Sequence, residues 1–178
     1  MQDFTLPEGI QENNPGMLSL EEGHKLAELA QGKIVLELGS YTGLSTIVMA
    51  RVAKQVWSVD WHKGDEGAGR HDTLVDFMRN VEHFGVRDKI VKVVARFEDC
   101  LPFLRRSMFD MVYIDGAHDF ESVYRDTCQA QRLSYHGGII VCHDVDQDQV
   151  KRAFTQAIYS SSGFSYGPGR LGIFQRQG

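Results

Sequence analysis

Lys33-Ile34-Val35-Leu36-Glu37-Leu38-Gly39-Ser40-Tyr41-Thr42-Gly43 is the stretch on which the fold turns. Lys33 to Leu38 is a run of mostly β-favouring residues that enters a glycine turn, and Leu44 then opens a helical pattern. An apolar run without strict alternation suits a strand covered on both faces, as in a parallel sheet. Gly39 and Gly43 permit backbone angles and close approaches that a Cβ would forbid. The helix starting near Leu44 is therefore expected to aim free N–H groups and its positive dipole end over the turn. Strand, glycine turn and helix together are the grammar of a nucleotide site.

The spacing is not the dinucleotide fingerprint G-x-G-x-x-G, because Ser40, Tyr41 and Thr42 separate glycines four apart. An acid, Glu37, sits on the strand end instead. A carboxylate there repels phosphate and can hold a cationic amino group, directly or through water. E-x-G-x-x-x-G after a first strand resembles motif I of the class I S-adenosylmethionine-dependent methyltransferases. That resemblance implies that Glu37 and the turn residues Gly39, Ser40, Thr42 and Gly43 hold the methionine part of the cofactor.

Composition narrows the setting. The 178 residues fit one domain with a real core, and 42% hydrophobic with 24% charged residues is ordinary for a globular chain. Lys+Arg number 19 against 24 Asp+Glu, a formal charge of −5, with no basic block, so nucleic acid is not the expected partner. No apolar run approaches the about 20 residues of a membrane helix. The start Met-Gln-Asp-Phe-Thr-Leu-Pro lacks the basic and apolar regions of a signal peptide. Cys100, Cys128 and Cys142 are scattered and odd in number, which points to reduced packing thiols and a cytoplasmic setting.

Along the chain, residues 1–31 read as an N-terminal extension and helix, and 33–178 as the core of a single domain. Ser19-Leu20-Glu21-Glu22 is a capping box for a helix running to about Ala30, either a lid or an appendage. A helix continues from Leu44 to near Ala53, and Gln55 to Val59 is the second strand, ending at Asp60-Trp61. Asp60 lies 21 residues beyond Gly39, the spacing of an acid that accepts both ribose hydroxyls. Trp61 is then available to adenine. Residues 62–71 form a polar glycine-rich loop whose His62 and His71 are expected to be exposed, and Asp72 caps the next helix. Ile90 to Val94 is the third strand, and Phe97 opens a short helix that packs on the sheet. In the methyltransferases resembled, the turn after this strand commonly carries an acid for the adenine amino group. Arg96 stands there instead, with Glu98 two residues on, and Phe97 completes the cofactor set on that side.

Asp110 to Ile114 is the fourth strand and delivers Asp115-Gly116-Ala117-His118, while Ile139 to Cys142 is the fifth and delivers His143-Asp144. Ligands of open α/β sheets bind at that edge. Asp115, Asp144, His118 and His143 thus fall on one rim, where oxygen and imidazole donors can hold Mg²⁺ or another divalent cation. Asp119 and Asp146-x-x-Gln149 read as caps of the following helices, and Phe164–Tyr166 with Leu171–Gln175 as a closing antiparallel hairpin.

Phe109-Asp110-Met111-Val112-Tyr113-Ile114-Asp115-Gly116-Ala117-His118 and Gly137 to Asp144 resemble motifs of the small class I O-methyltransferases, the metal-dependent catechol-type and macrolide-sugar group. The similarity covers about residues 17–145. It implies Asp115 and Asp144 as metal ligands, with His118 at the position of that group's general base. Val145 stands where the group has an Asn ligand, leaving one ligand to Asp146, His143 or water. Asp115, His118 and His143 form the catalytic set, the base being His118, His143 or a metal-bound water.

The expectation is a Rossmann-like three-layer α/β sandwich with a mostly parallel seven-stranded sheet and an antiparallel C-terminal hairpin. Its function would be S-adenosylmethionine-dependent methyl transfer to a hydroxyl oxygen of a small-molecule acceptor. The alternatives are a nicotinamide-dependent oxidoreductase and a non-catalytic nucleotide-binding module. The compact chain leaves room for a homo-oligomer in which a second copy supplies pocket walls.

Overall fold

The computed structural model describes residues 5–10, 17–64, 72–158 and 163–176. Helix α1 (Leu20–Ala30) precedes β1 (Ile34–Leu38), α2 (Leu44–Ala50), β2 (Gln55–Asp60) and α3 (Leu74–His83). Then come β3 (Ile90–Val94), the single turn α4 (Phe97–Cys100), β4 (Phe109–Ile114), α5 (Phe120–Leu133) and β5 (Ser134–Cys142). Helix α6 (Asp148–Ala157) and the strands β6 (Phe164–Tyr166) and β7 (Gly172–Gln175) close the chain.

The strands form one seven-stranded sheet in the order β3-β2-β1-β4-β5-β7-β6. β1 to β5 are parallel neighbours, while β7 pairs antiparallel with β5 and β6 antiparallel with β7. This is the expected Rossmann-like sandwich. The continuous apolar runs have a direct cause. Val35, Met111 and Tyr113 join one core with Leu26, Ile47, Val48 and Phe77, so that α1, α2 and α3 cover that face. Leu36, Leu38, Val112 and Ile114 join the other with Val123, Leu133 and Phe154, under α5 and α6. Successive strand residues thus face different layers, and both layers are dry.

Local boundaries differ from the sequence pattern where turn chemistry intervenes. Helix α2 stops at Ala50, and α3 takes Thr73 as its N-cap, with Asp72 accepting from the Leu74 N–H at 3.0 Å. Helix α6 begins at Asp148 with Gln147 as N-cap and no side-chain cap bond, so the expected Asp146 box does not form. A tight turn there, Gln147 N–H to the Asp144 carbonyl at 2.9 Å, places Asp146 outside the helix. Strand β5 starts at Ser134, and the register shifts between Phe109 and Met111 before the regular pairing begins at Ile139.

Candidate functional site

The rim is built by strand ends held level. Asp115 N–H bonds the Leu38 carbonyl at 2.8 Å, Gly39 N–H the Val59 carbonyl at 2.9 Å, and His143 N–H the Ile114 carbonyl at 3.0 Å. Gly39 has φ +93°, and a Cβ there would lie 2.0 Å from the Asp115 carbonyl oxygen. Only glycine lets β1 and β4 deliver their ends this close, at the point where strand order reverses. A cleft of about 1090 Å³ opens along this edge, lined among others by Gly39, Asp60, Phe97, His118, Asp144 and Arg170.

Glu37 is fully buried, and its carboxyl accepts from Ser45 Oγ at 2.6 Å and from Thr46 Oγ1. It therefore ties β1 to the first turn of α2 and is not one of the groups lining the cleft. Burial pushes its carboxyl up to about 8, outweighing the two hydroxyls, so it is mostly neutral at pH 7. A direct ionic grip on a cofactor amino group, expected from the sequence, is thus not what its placement provides.

Asp60 also differs from its expected role. Its Oδ2 accepts from Ser40 N–H and Tyr41 N–H, both at 2.8 Å, and its Oδ1 from His62 N–H at 2.7 Å. A carboxylate offers about four lone-pair sites, so one remains for a ribose hydroxyl rather than two. Those same bonds turn the amides of Ser40 and Tyr41 away from any anion and shape the turn, with Tyr41 in the left-handed region at φ 47°. His62 is buried, against expectation, because its Nδ1 pairs with Thr73 Oγ1 at 2.9 Å and its ring lies 5.2 Å from that of Phe77. His71 lies outside the described residues, as does most of the glycine-rich loop. Ser40, Thr42 and Trp61 line the cleft, while Gly43 (φ +95°) starts α2 behind it. The Arg96 guanidinium stacks 5.1 Å from the Trp61 ring, and Phe97 covers Gly116, where a Cβ would come within 2.7 Å of Phe97 Cε2.

At the other end lies a compact set of charges. His143 is buried, with Nδ1 3.4 Å from Asp115 Oδ1 and 3.3 Å from Asp144 Oδ2, and Nε2 3.5 Å from Glu22 Oε1. Neither nitrogen has a well-aligned hydrogen bond. Burial opposes its charge, but the carboxylates of Asp115, Asp144 and Glu22 prevail and hold the imidazole protonated. A protonated imidazole has no lone pair for a metal or for a proton. His143 is thus enclosed by three carboxylates that favour its charged form.

His118 is half exposed, and its Nε2 lies 2.9 Å from Asp144 Oδ2. That bond raises the His118 pKa above its ordinary value despite partial burial. Arg170 Nη1 donates to Asp144 Oδ1 at 2.8 Å, and its backbone N–H to Glu22 Oε1 at 2.7 Å. Burial would raise the pKa values of Asp144 and Glu22, but the surrounding cations and N–H donors drive both well below the carboxylate range. Tyr113 Oη donates to Asp115 Oδ2 at 3.0 Å. Asp115, His118 and Asp144 each offer one ligand atom within 4.8 Å of the others. Asp146 is exposed and Val145 buried, so neither joins the set.

Glu22, Arg170, Tyr113 and Asp126 escaped the sequence reading. Glu22 was already accounted for by its capping box, in which it accepts from Ser19 N–H at 2.7 Å. Arg170 sits in a hairpin turn that carries no chemical signal. Asp126 had one: it interrupts the inward stripe of Val123, Thr127 and Ala130 on α5.

Fold and site together define a Rossmann-like α/β domain with an open cleft at the β1/β4 switch point, the place where such sheets take their ligands. The chain belongs to the methyltransferase domain family, whose model matches residues 36–145. This decides against the nicotinamide reading. The chain is 31% identical over 134 residues, 72% of its length and 56% of the relative's, to a catechol O-methyltransferase of Mycobacterium tuberculosis. It spans about half the length of the curated relatives it matches. Among solved structures it resembles cofactor-bound Rv0187 from MTB, with TM-score 0.73, 24% identity, and 92% of this chain and 84% of that one covered. It also resembles the O-methyltransferase TomG from Streptomyces achromogenes in complex with SAM, with TM-score 0.70, 23% identity, and 95% and 86% covered. No helix among the described residues is long and apolar enough to cross a membrane.

Proposed function

We propose that this chain transfers a methyl group from S-adenosylmethionine to a hydroxyl oxygen of a small-molecule acceptor. The observation that carries the proposal is the single cleft joining the Gly39–Gly43 turn and Asp60 to the His118–Asp144 pair. The family, the catechol O-methyltransferase relatives and the SAM complex of TomG support it. When bound, S-adenosylmethionine supplies a sulfonium methyl open to in-line displacement by oxygen. The chain's own part is alignment, water exclusion and proton removal.

The turn from Gly39 to Gly43 and the remaining acceptor site of Asp60 hold the donor, with Trp61 and Phe97 lining its base side. His118 is the base: its Nε2 is oriented by Asp144, leaving Nδ1 to take the acceptor's proton. Asp144 is in turn held by Arg170. The convergence of Asp115, His118 and Asp144 favours a second reading, in which these three hold a divalent cation such as Mg²⁺. That cation would lower the acceptor hydroxyl's pKa and fix its position.

Calorimetry with S-adenosylmethionine and S-adenosylhomocysteine, followed by methyl transfer to a panel of phenols and sugars with and without Mg²⁺ or chelator, tests both readings. Micromolar binding and turnover unaffected by chelator support His118 as base. Turnover that requires the metal, lost in Asp115→Ala, supports the cation. Binding without turnover on any acceptor points to a non-catalytic module, and no binding sinks the proposal.

A further inference from the structure

The end of the sheet away from the cleft, where β4 and β5 begin, gathers arginines from three stretches of chain. The run from the turn Leu101–Phe103 into β4 carries Arg105 and Arg106, the end of α5 carries Arg132, and Arg176 follows β7. Hydrogen bonds join the three. Ser107 N–H bonds the Arg132 carbonyl at 3.2 Å, Met108 N–H the Leu133 carbonyl at 2.8 Å, and Arg176 Nη1 the Ser134 carbonyl at 2.5 Å. Residues 101–109, 129–138 and 172–176 hold these four arginines and no Asp or Glu, in a chain of formal charge −5. The flanking acids are Asp99 on α4 and Asp110, whose Oδ2 accepts from Ile34 N–H at 2.8 Å. Arg105 and Arg106 are exposed and make no hydrogen bond or ion pair among the described residues. Phe103 is 86% exposed, and Tyr135, at the start of β5, is 39% exposed. Arg132 donates to the Leu104 carbonyl at 2.9 Å and to the Leu101 carbonyl at 2.5 Å, which holds the turn that carries Phe103. Single exposed apolar side chains are ordinary. A bare ring on a held turn, two residues before a pair of guanidiniums without counter-charges, is not.

We propose that this end of the molecule docks on an anionic lipid bilayer surface, with Phe103 entering the headgroup layer and Arg105 and Arg106 on lipid phosphates. Guanidiniums match phosphate with paired N–H donors, and a basic cluster is attracted to an anionic leaflet. An aromatic ring beside them gains by leaving water at the boundary of headgroups and acyl chains. Tyr135 suits the same depth, with its hydroxyl on the wet side. Charge and apolar ring in one small area are what select this partner. A nucleic-acid strand is held along an extended basic track, whereas here the basic area is confined to one end of an acidic chain. A stable protein interface covers about 800 Å² a side around an apolar centre. Phe103 and Tyr135 are the exposed large apolar residues of the three stretches, too few for such a centre. The cleft opens at the opposite ends of the same strands, and none of its lining residues belongs to these stretches. A docked molecule therefore keeps the cleft in the aqueous phase.

The test is co-sedimentation of the full chain with vesicles of phosphatidylcholine alone and of phosphatidylcholine mixed with phosphatidylglycerol. Wild type should bind the mixed vesicles at low salt, stay in solution with phosphatidylcholine alone, and be released by raised salt. Phe103→Ser should weaken partitioning onto the mixed vesicles by about tenfold or more. Arg105→Glu combined with Arg106→Glu should abolish it. Both variants should melt as wild type does, because these side chains make no hydrogen bond or ion pair in the fold. Wild type left in solution with the mixed vesicles, equal binding to both kinds of vesicle, or either variant binding as wild type does would overturn the proposal. Without vesicle binding, retention of a single-stranded oligonucleotide would give the surface to nucleic acid, and a dimer lost in Phe103→Ser would give it to a second copy. Each of these also overturns the lipid assignment.

Discussion

Two side chains show how the same residue type takes opposite roles on one rim. Glu37 and Glu22 are both buried, yet the first is neutral near pH 7 and the second ionised, because burial outweighs the two hydroxyls at Glu37 whereas His143 and the N–H donors outweigh burial at Glu22. The pH consequences are opposite. Glu37 has a folded pKa above its unfolded value, so the folded state binds the extra proton and stability falls as pH rises from about 4.5 through about 8. Glu37→Gln should remove this slope. Its urea-unfolding free energy relative to wild type should improve by a few kcal/mol between pH 5 and pH 9. Glu22 and Asp144 are depressed, so their contribution is full above the unfolded carboxylate pKa and is lost as pH falls below it. His118→Ala should lower kcat by about 10²–10⁴-fold while leaving S-adenosylhomocysteine affinity unchanged. In wild type the rate should rise with pH through a pKa above the usual histidine value, since the base must be unprotonated. Single-turnover rates from pH 5 to pH 9 measure both effects.

At the scale of elements, α1 is neither a free lid nor an idle appendage. Its Glu22 closes the helix cap, meets His143 and holds the β6–β7 turn, where a Cβ on Gly169 would lie 2.5 Å from Glu22 Oε1. Glu22→Ala strips the cap and leaves a buried imidazolium with one fewer counter-charge. It should destabilise by about 3 kcal/mol or more in urea titrations at pH 7, well beyond the about 1 kcal/mol of a cap alone. A loss near 1 kcal/mol would show that the His143 contact is incidental. The junction of β1 and β4 is a second such joint. Gly39→Ala sets a Cβ against the Asp115 carbonyl at a left-handed φ, and a loss above about 3 kcal/mol is expected from calorimetric melting.

Across the molecule, the rim gathers Glu22, Asp115, His143, Asp144 and Arg170 from four distant stretches of chain. Their charges are nearly balanced without any ligand, three acids against a guanidinium and an imidazolium, so the site is coupled to the folding of the whole sheet. Deleting residues 163–178 removes β7 from the edge of β5 and takes Arg170 from Asp144 and Glu22. Such a variant should lack a cooperative thermal transition by circular dichroism, whereas a domain that tolerated the loss would melt sharply.

What the sequence by itself determined were the features written in local patterns. Lys33 to Gly43 announced strand, turn and helix, the two-sided apolar runs announced a covered parallel sheet, and Asp115, His118, His143 and Asp144 announced a polar rim. These follow from neighbours in the chain, where periodicity and glycine spacing constrain the backbone directly. The roles of the side chains were decided by tertiary structure, because a carboxyl's charge and a histidine's proton depend on groups brought from elsewhere. Glu37 turned inward to Ser45 and Thr46, Asp60 spent three of its acceptor sites on backbone amides, and His143 became a cation among three acids. Arg170 reached the site from a hairpin turn 26 residues beyond Asp144, a proximity that no spacing encodes.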